Sequence, residues 1–123
     1  MSGPVAILPR GDCLIASIQD DLSDAEVVEF SDDVAERLGS HEIRGVVVDV
    51  RALDVIDSFV ARALRSIAVT ARLRGAETVI AGIRPDVAIA MVHFKLDLTP
   101  LRTALDLDDA LELLQRSLAR DRE

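Results

Sequence analysis

Ser58 is the residue of this chain best placed to carry chemistry. It stands in Val55-Ile56-Asp57-Ser58-Phe59, after the apolar run Gly45-Val46-Val47-Val48-Asp49-Val50 and at the head of the amphipathic segment Phe59 to Arg74. A short β-branched run predicts a buried strand, and the 3.6-residue period after it predicts a helix. That order places Ser58 at a helix N-terminus, where unpaired backbone N–H groups and the positive end of the dipole face outward. Such a place can hold a phosphate, so a serine there can serve as a switch. Asp and Ser are also favoured N-caps, and from these five residues alone a cap is the simpler reading.

The other chemical candidates are weaker. Asp49, Asp54 and Asp57 can gather near the strand end and bind Mg²⁺, as acids do in phosphoryl-transfer sites. Turn aspartates are commonplace, however, and Asp49 can equally point into solvent. His41 and His93 stand far apart and belong to no H-E-x-x-H or Cys/His set. No phosphate-cradling glycine loop occurs, and Ser58 lacks the flanking glycines of a nucleophile elbow. The sequence therefore assigns no catalytic residue, no metal and no cofactor. Cys13, the single cysteine, lies in Cys13-Leu14-Ile15-Ala16 and reads as a small buried apolar residue rather than a reactive thiol.

The segment after Ser58 carries a second signal. At 100° per residue its apolar stripe is Val60, Ala63, Leu64, Ile67, Ala68 and Ala71. The opposite face collects Ser58, Arg62, Arg65, Ser66, Val69, Arg72 and Leu73. Arg62 is one turn from Ser58 and can approach a phosphate there. Val69 and Leu73 put apolar area where a solvated helix carries polar groups, so Arg62, Arg65, Val69 and Leu73 form a candidate partner-contact face. Single exposed apolars are also normal on any surface. Ile89 and Val92 similarly fall off the main stripe (Val87, Ala90, Met91, Phe94) of a later short helix.

The elements that must position these residues follow from pattern and punctuation. Strands are predicted at 5–8 and 13–19 around the turn Pro9-Arg10-Gly11-Asp12, then at 45–50 and 77–82, with a Pro-interrupted edge strand within Leu96 to Leu101. Ser23-Asp24-Ala25-Glu26 has capping-box spacing, and Leu22 and Val27 are placed as a hydrophobic staple. Val27, Phe30, Val34 and Leu38 line the helix that follows, with Gly39 as its left-handed stop. Acids from Asp20 to Glu36 crowd that helix, a solvated face first and a docking face for a basic partner second. A second helix ends near Gly75, and a third starts at Arg84-Pro85-Asp86. The last is capped around Asp106 and striped by Leu107, Ala110, Leu111, Leu114 and Leu118, with a frayed tail over 116–123. Alternating strands and helices predict an α/β fold with helices on at least one sheet face.

At 123 residues the chain is expected to form one domain, 1–123. Half of it is hydrophobic, and its three aromatics are all Phe, so Val, Leu, Ile and Ala must build the core. A net charge of −8, with no Trp or Tyr to stack a base, argues against nucleic acid. No signal-peptide pattern opens the chain, and no apolar run approaches the ~20 residues that span a bilayer. A cytoplasmic protein is expected.

With these residues in view, the chain resembles STAS domains, the fold of anti-sigma-factor antagonists, and within them the RsbS-type scaffolds of the bacterial stressosome. The likeness is carried by Cys13-Leu14-Ile15-Ala16-Ser17-Ile18-Gln19, Gly45 to Val50, Asp54-Val55-Ile56-Asp57-Ser58-Phe59-Val60-Ala61, Gly82-Ile83-Arg84-Pro85 and Thr103-Ala104-Leu105-Asp106-Leu107. It implies a mixed sheet of about four to five strands with about four helices. It implies that Ser58 is phosphorylated by an RsbT-type serine kinase, with Asp57 and Phe59 as neighbours in the switch turn. The unmodified protein would hold the kinase and the phosphorylated one release it. A PP2C-type phosphatase would reset the switch, and RsbR-type sensor paralogues would co-assemble with it into a large shell. Two positions depart from the pattern. Ala90 stands where relatives commonly carry a second phosphorylatable threonine, and Lys95 where a helix-ending glycine is usual. The expected function is a non-enzymatic, phosphorylation-switched scaffold. The alternatives are a free-standing anti-sigma-factor antagonist and a small Mg-dependent phosphotransfer or nucleotide-hydrolysing enzyme using Asp49, Asp54 and Asp57.

Overall fold

A computed structural model describes residues 4–40 and 42–121. His41 and the first three residues, on which the signal-peptide reading partly rests, lie outside the described residues. A five-stranded sheet runs in the order β1 (Val5–Arg10), β2 (Cys13–Ile18), β3 (Gly45–Asp49), β4 (Glu77–Ala81), β5 (Arg102–Ala104). β1 pairs antiparallel with β2, and β2 to β5 are parallel neighbours. Between them lie α1 (Asp24–Ser40), α2 (Ser58–Leu73) and α3 (Pro85–His93), and α4 (Leu107–Asp121) closes the chain. This is the α/β fold that the pattern predicts, and the mixed sheet with four helices that the resemblance implies.

Parallel neighbours joined in chain order by right-handed crossovers put α1, α2 and α3 on one face. There Leu14, Ala16, Ile18, Val46, Val48 and Ile80 meet Phe30, Val34, Leu38, Leu64, Ile67, Ala71, Val87 and Met91. The alternate strand residues Cys13, Val47, Val79 and Ala81 face the other way and pack under Ala110 and Leu114 of α4. Both faces of β3 are therefore covered, which is why it reads as unbroken apolar residues rather than alternating. α4 lies close against β3 at Gly45, where a Cβ would come within 2.9 Å of Leu114 Cδ1 and 3.0 Å of Cys13 Sγ. Cys13 is buried as expected, and burial, then Asp12, pushes its thiol pKa up.

The helix signals in the sequence are realised with local differences. Ser23 and Glu26 form the capping box: the Ser23 N–H donates to Glu26 Oε1 at 2.9 Å and the Glu26 N–H to Ser23 Oγ at 3.2 Å. Asp106 caps α4 through the Asp109 N–H at 2.8 Å. Pro9 and Arg10 belong to β1 rather than to the turn, because an edge strand tolerates proline's missing N–H. The turn is only Gly11-Asp12, with Gly11 at φ +60. Gly39 is not a left-handed stop; α1 continues through it to Ser40, held by the packing of Leu38.

The expected strand within 96–101 is instead a turn. Asp97 Oδ1 accepts from the Thr99 N–H and hydroxyl at 2.9 and 2.6 Å, and the Leu101 N–H donates to Leu98 O. The ladder resumes only at Arg102, past the proline that cannot donate to it. Residues 116–121 are helical rather than a tail, anchored by buried Ser117 and Leu118, while 122–123 lie outside the described residues. On α3 only Val87 and Met91 of the predicted stripe are buried. Ala90 is exposed, and Phe94 is the cap residue beyond a nine-residue helix, its ring edge-on to His93.

Candidate functional site

The chain leaves β3 at Asp49, crosses a loop anchored by buried Leu53 and Ile56, and enters α2. Asp57 has extended backbone and is the N-cap: its Oδ1 accepts the Val60 N–H at 2.9 Å. Ser58 is thereby the first residue of the helix, exposed, and no hydrogen bond to its hydroxyl forms among the described residues. The cap and the candidate switch are thus two different residues. Asp57 satisfies the helix end and Ser58 Oγ is left accessible beside it.

A cleft of about 460 Å³ opens at this point. Its walls are Asp54, Val55, Ile56, Asp57 and Ser58 on one side and Asp86, Val87, Ala90, Phe94 and Leu96 on the other. The serine therefore sits at the mouth of a mostly apolar groove rimmed by carboxylates. Ala90, which lacks a hydroxyl, forms part of the facing wall. Phe59 is half-buried and is not among the residues lining the groove.

The three aspartates weighed as a metal or phosphotransfer cluster do not converge. Asp49 Oδ1 accepts the Arg51 N–H at 3.0 Å, Asp54 Oδ1 takes Arg84 Nη2 at 2.8 Å, and Asp57 is occupied as the cap. Among the described residues no group of three or more His, Cys, Asp or Glu side chains is arranged to hold a metal ion. No helix there is long and apolar enough to cross a membrane.

Further along α2 the predicted outer face is exposed as expected: Arg62, Arg65, Ser66, Val69, Arg72 and Leu73 all face solvent, with Val69 47 % and Leu73 83 % exposed. The buried stripe is shifted by part of a turn. Ala61 is buried where Val60 and Ala63 are only half so. Arg65 has a partner within the chain, donating from Nε to Thr99 O at 3.1 Å, so it also pins the 96–101 turn against α2. Arg62 forms no ion pair among the described residues.

Lys95 keeps the geometry that glycine ordinarily supplies. The Lys95 N–H donates to Val92 O and the Leu96 N–H to Met91 O, the two bonds of a Schellman close, with Lys95 at φ 57. α2 ends in the same way, but with Gly75 at φ +83. Sequence reasoning passed over Arg84, although it touches two of the groove's acids. The signal available was the charge placed directly before Pro85 at a helix start.

Residues 5–110 match the STAS domain, and the chain belongs to the STAS-domain family. Within that family its likeness is to RsbS. RsbS of Moorella thermoacetica, solved in an S58E form, is 36% identical with a TM-score of 0.81, and the match covers 96% of this chain and 99% of that one. A chain from the stressosome, described as a signal integration and transduction hub, is 34% identical with a TM-score of 0.73, covering 94% and 99%. RsbT co-antagonist protein RsbRA of Bacillus subtilis is 32% identical over 82 residues, 63% of this chain but 30% of RsbRA. This chain thus spans under a third of that relative's length.

Proposed function

We propose that this protein is a non-enzymatic stressosome scaffold that holds an RsbT-type serine kinase and releases it when Ser58 is phosphorylated. The single observation that carries the reading is the division of labour at the head of α2. Asp57 caps the helix, so the Ser58 hydroxyl stays exposed and unbonded at the mouth of an apolar groove. Likeness to RsbS over nearly the full length of both chains supports it. A phosphate at this serine meets the positive end of α2, which favours it, but adds about −1.5 to −2 charges to a rim already holding Asp54, Asp57 and Asp86. A kinase surface fitted to a neutral hydroxyl and an apolar groove would have to desolvate that charge, and the complex weakens.

The RsbR-type sensor paralogue is a co-assembly partner in this reading, and a PP2C-type phosphatase resets Ser58. The acidic α1 surface and the α2 face of Arg62, Val69 and Leu73 remain available for assembly. Incubation with an RsbT-type kinase and ATP, followed by peptide mass spectrometry, should place phosphate on Ser58 alone. Phosphate on Ser66 or Thr70 with Ser58 unmodified would defeat the proposal.

A further inference from the structure

Gly82-Ile83-Arg84 links β4 to α3 and is docked against the loop that leads into Ser58. Gly82 has φ +81, and a Cβ there would come within 3.0 Å of Arg51 Cβ and 3.3 Å of Asp49 Oδ1. The Val50 N–H donates to Ala81 O at 2.9 Å, fixing the two segments side by side. Arg84 then bridges two acids of the groove. Its Nη2 donates to Asp54 Oδ1 at 2.8 Å, and its Nε lies 3.6 Å from Asp86 Oδ1. Both acids line the groove that Ser58 opens onto. A third, Asp21, accepts the Asp54 N–H at 3.1 Å.

Charge is unbalanced there. Among the described residues, Asp54, Asp57 and Asp86 line the groove with Ser58 and Asp21 bonds the Asp54 backbone, while Arg84 is held by two of these acids and Arg62 lies one turn along α2. The bond to Asp54 chiefly, with the fields of Asp86, Asp54 and Asp21, raises the Arg84 pKa above its ordinary value. Its Nε–H is buried without a hydrogen-bond partner, while the side chain is 36 % exposed and bonds Asp54 through Nη2 alone, so the guanidinium fork keeps open Nη donors. A phosphate dianion outcompetes a carboxylate for such a fork, having more charge and three acceptor oxygens.

We infer that Arg84 is a positioning residue for the switch: it ties the Ser58 loop to α3 in the unmodified chain and becomes the counter-charge of phosphoserine at 58, giving up part of its bond to Asp54. The inference rests on Ser58 being the modified residue, but its test needs no kinase. Phosphoserine is installed at position 58 during translation by an expanded genetic code, and its second ionisation is followed by ³¹P NMR. Relative to the otherwise wild-type chain, Arg84→Gln should raise that pKa by about half a unit, a roughly threefold change in proton affinity. Arg84→Lys should stay closer to wild type, and Arg62→Gln should shift it less than Arg84→Gln.

Coincident titrations of the wild-type and Arg84→Gln phosphoproteins, both melting cooperatively, would overturn the inference, as would a larger shift in Arg62→Gln. Should Arg84→Gln fail to fold, the wild-type chain still decides. The Arg84 Nε–Hε resonance should move and exchange more slowly with water once position 58 carries phosphate, and an unchanged resonance would overturn the inference. Failure here leaves the kinase reading standing, and a kinase that ignores Ser58 leaves this charge geometry standing.

Discussion

Asp57 and Val60 are joined by a 2.9 Å hydrogen bond from the Val60 N–H to the Asp57 carboxylate, and this bond leaves Ser58 free of a capping duty. Replacing Asp57 by Ala should therefore lower stability by about 0.5–2 kcal/mol through loss of the cap. Ser58→Ala should cost less than Asp57→Ala, because the serine hydroxyl makes no bond. Denaturant unfolding of both variants checks the order. A larger loss from Ser58→Ala would show that the serine is the structural residue.

The exposed α2 face should matter for contacts rather than for folding. Val69→Ser with Leu73→Ser should shift stability by no more than about 0.5 kcal/mol each, since neither side chain is buried. Binding to the kinase or to an RsbR-type STAS domain should weaken, because apolar anchors at a contact lose a desolvated pocket. A thermal melt and a pull-down distinguish the outcomes. Unchanged binding to every partner moves the contact surface elsewhere, with Ile89 and Val92 on α3 the next candidates.

Lys95 holds a left-handed conformation that glycine adopts without steric cost. Lys95→Gly should stabilise the protein by roughly 0.5–1 kcal/mol, the strain relieved being partly offset by the added freedom of glycine in the unfolded chain. Gly75→Ala, at the equivalent close of α2, should destabilise by a similar amount or more. Paired urea titrations test both signs.

Asp97 is held below its ordinary value of 3.8, first by the Thr99 hydroxyl, then by the Thr99 N–H, with Arg65 assisting. A carboxylate with a depressed folded-state pKa contributes stability above its unfolded pKa and loses it as pH falls through the folded value. The stability difference between wild type and Asp97→Asn should therefore be constant near neutral pH and shrink below 3.8. A gap that widens on acidification would contradict the assignment.

Much of this architecture is legible in residue order, and the exceptions have physical causes. β3 announces itself as an unbroken apolar run because both its faces are covered, and α1 and α4 because burial on one face imposes a period and Ser23, Glu26 and Asp106 satisfy helix ends locally. The edge strand lies at Arg102-Thr103-Ala104, which carries little apolar pattern; its pairing with Val79 to Ala81 is a tertiary fact. The α3 stripe misled because the helix is short and its groove-side wall is open, leaving Ala90 and Phe94 exposed. At the site, Ser58 and Asp57 could be found from a strand-to-helix turn. For Arg84 the charge before Pro85 marks the residue, but not its partner, since its bond to Asp54 joins residues thirty positions apart.

In the proposed switch the charge state of Ser58 sets kinase affinity, and a calorimetric titration of an RsbT-type kinase into the unmodified and the Ser58-phosphorylated protein measures it directly. The phosphoprotein should form an at least tenfold weaker complex, about 1.4 kcal/mol, with full binding by Ser58→Ala and a partial loss in Ser58→Asp. Equal affinity for the two forms would contradict it.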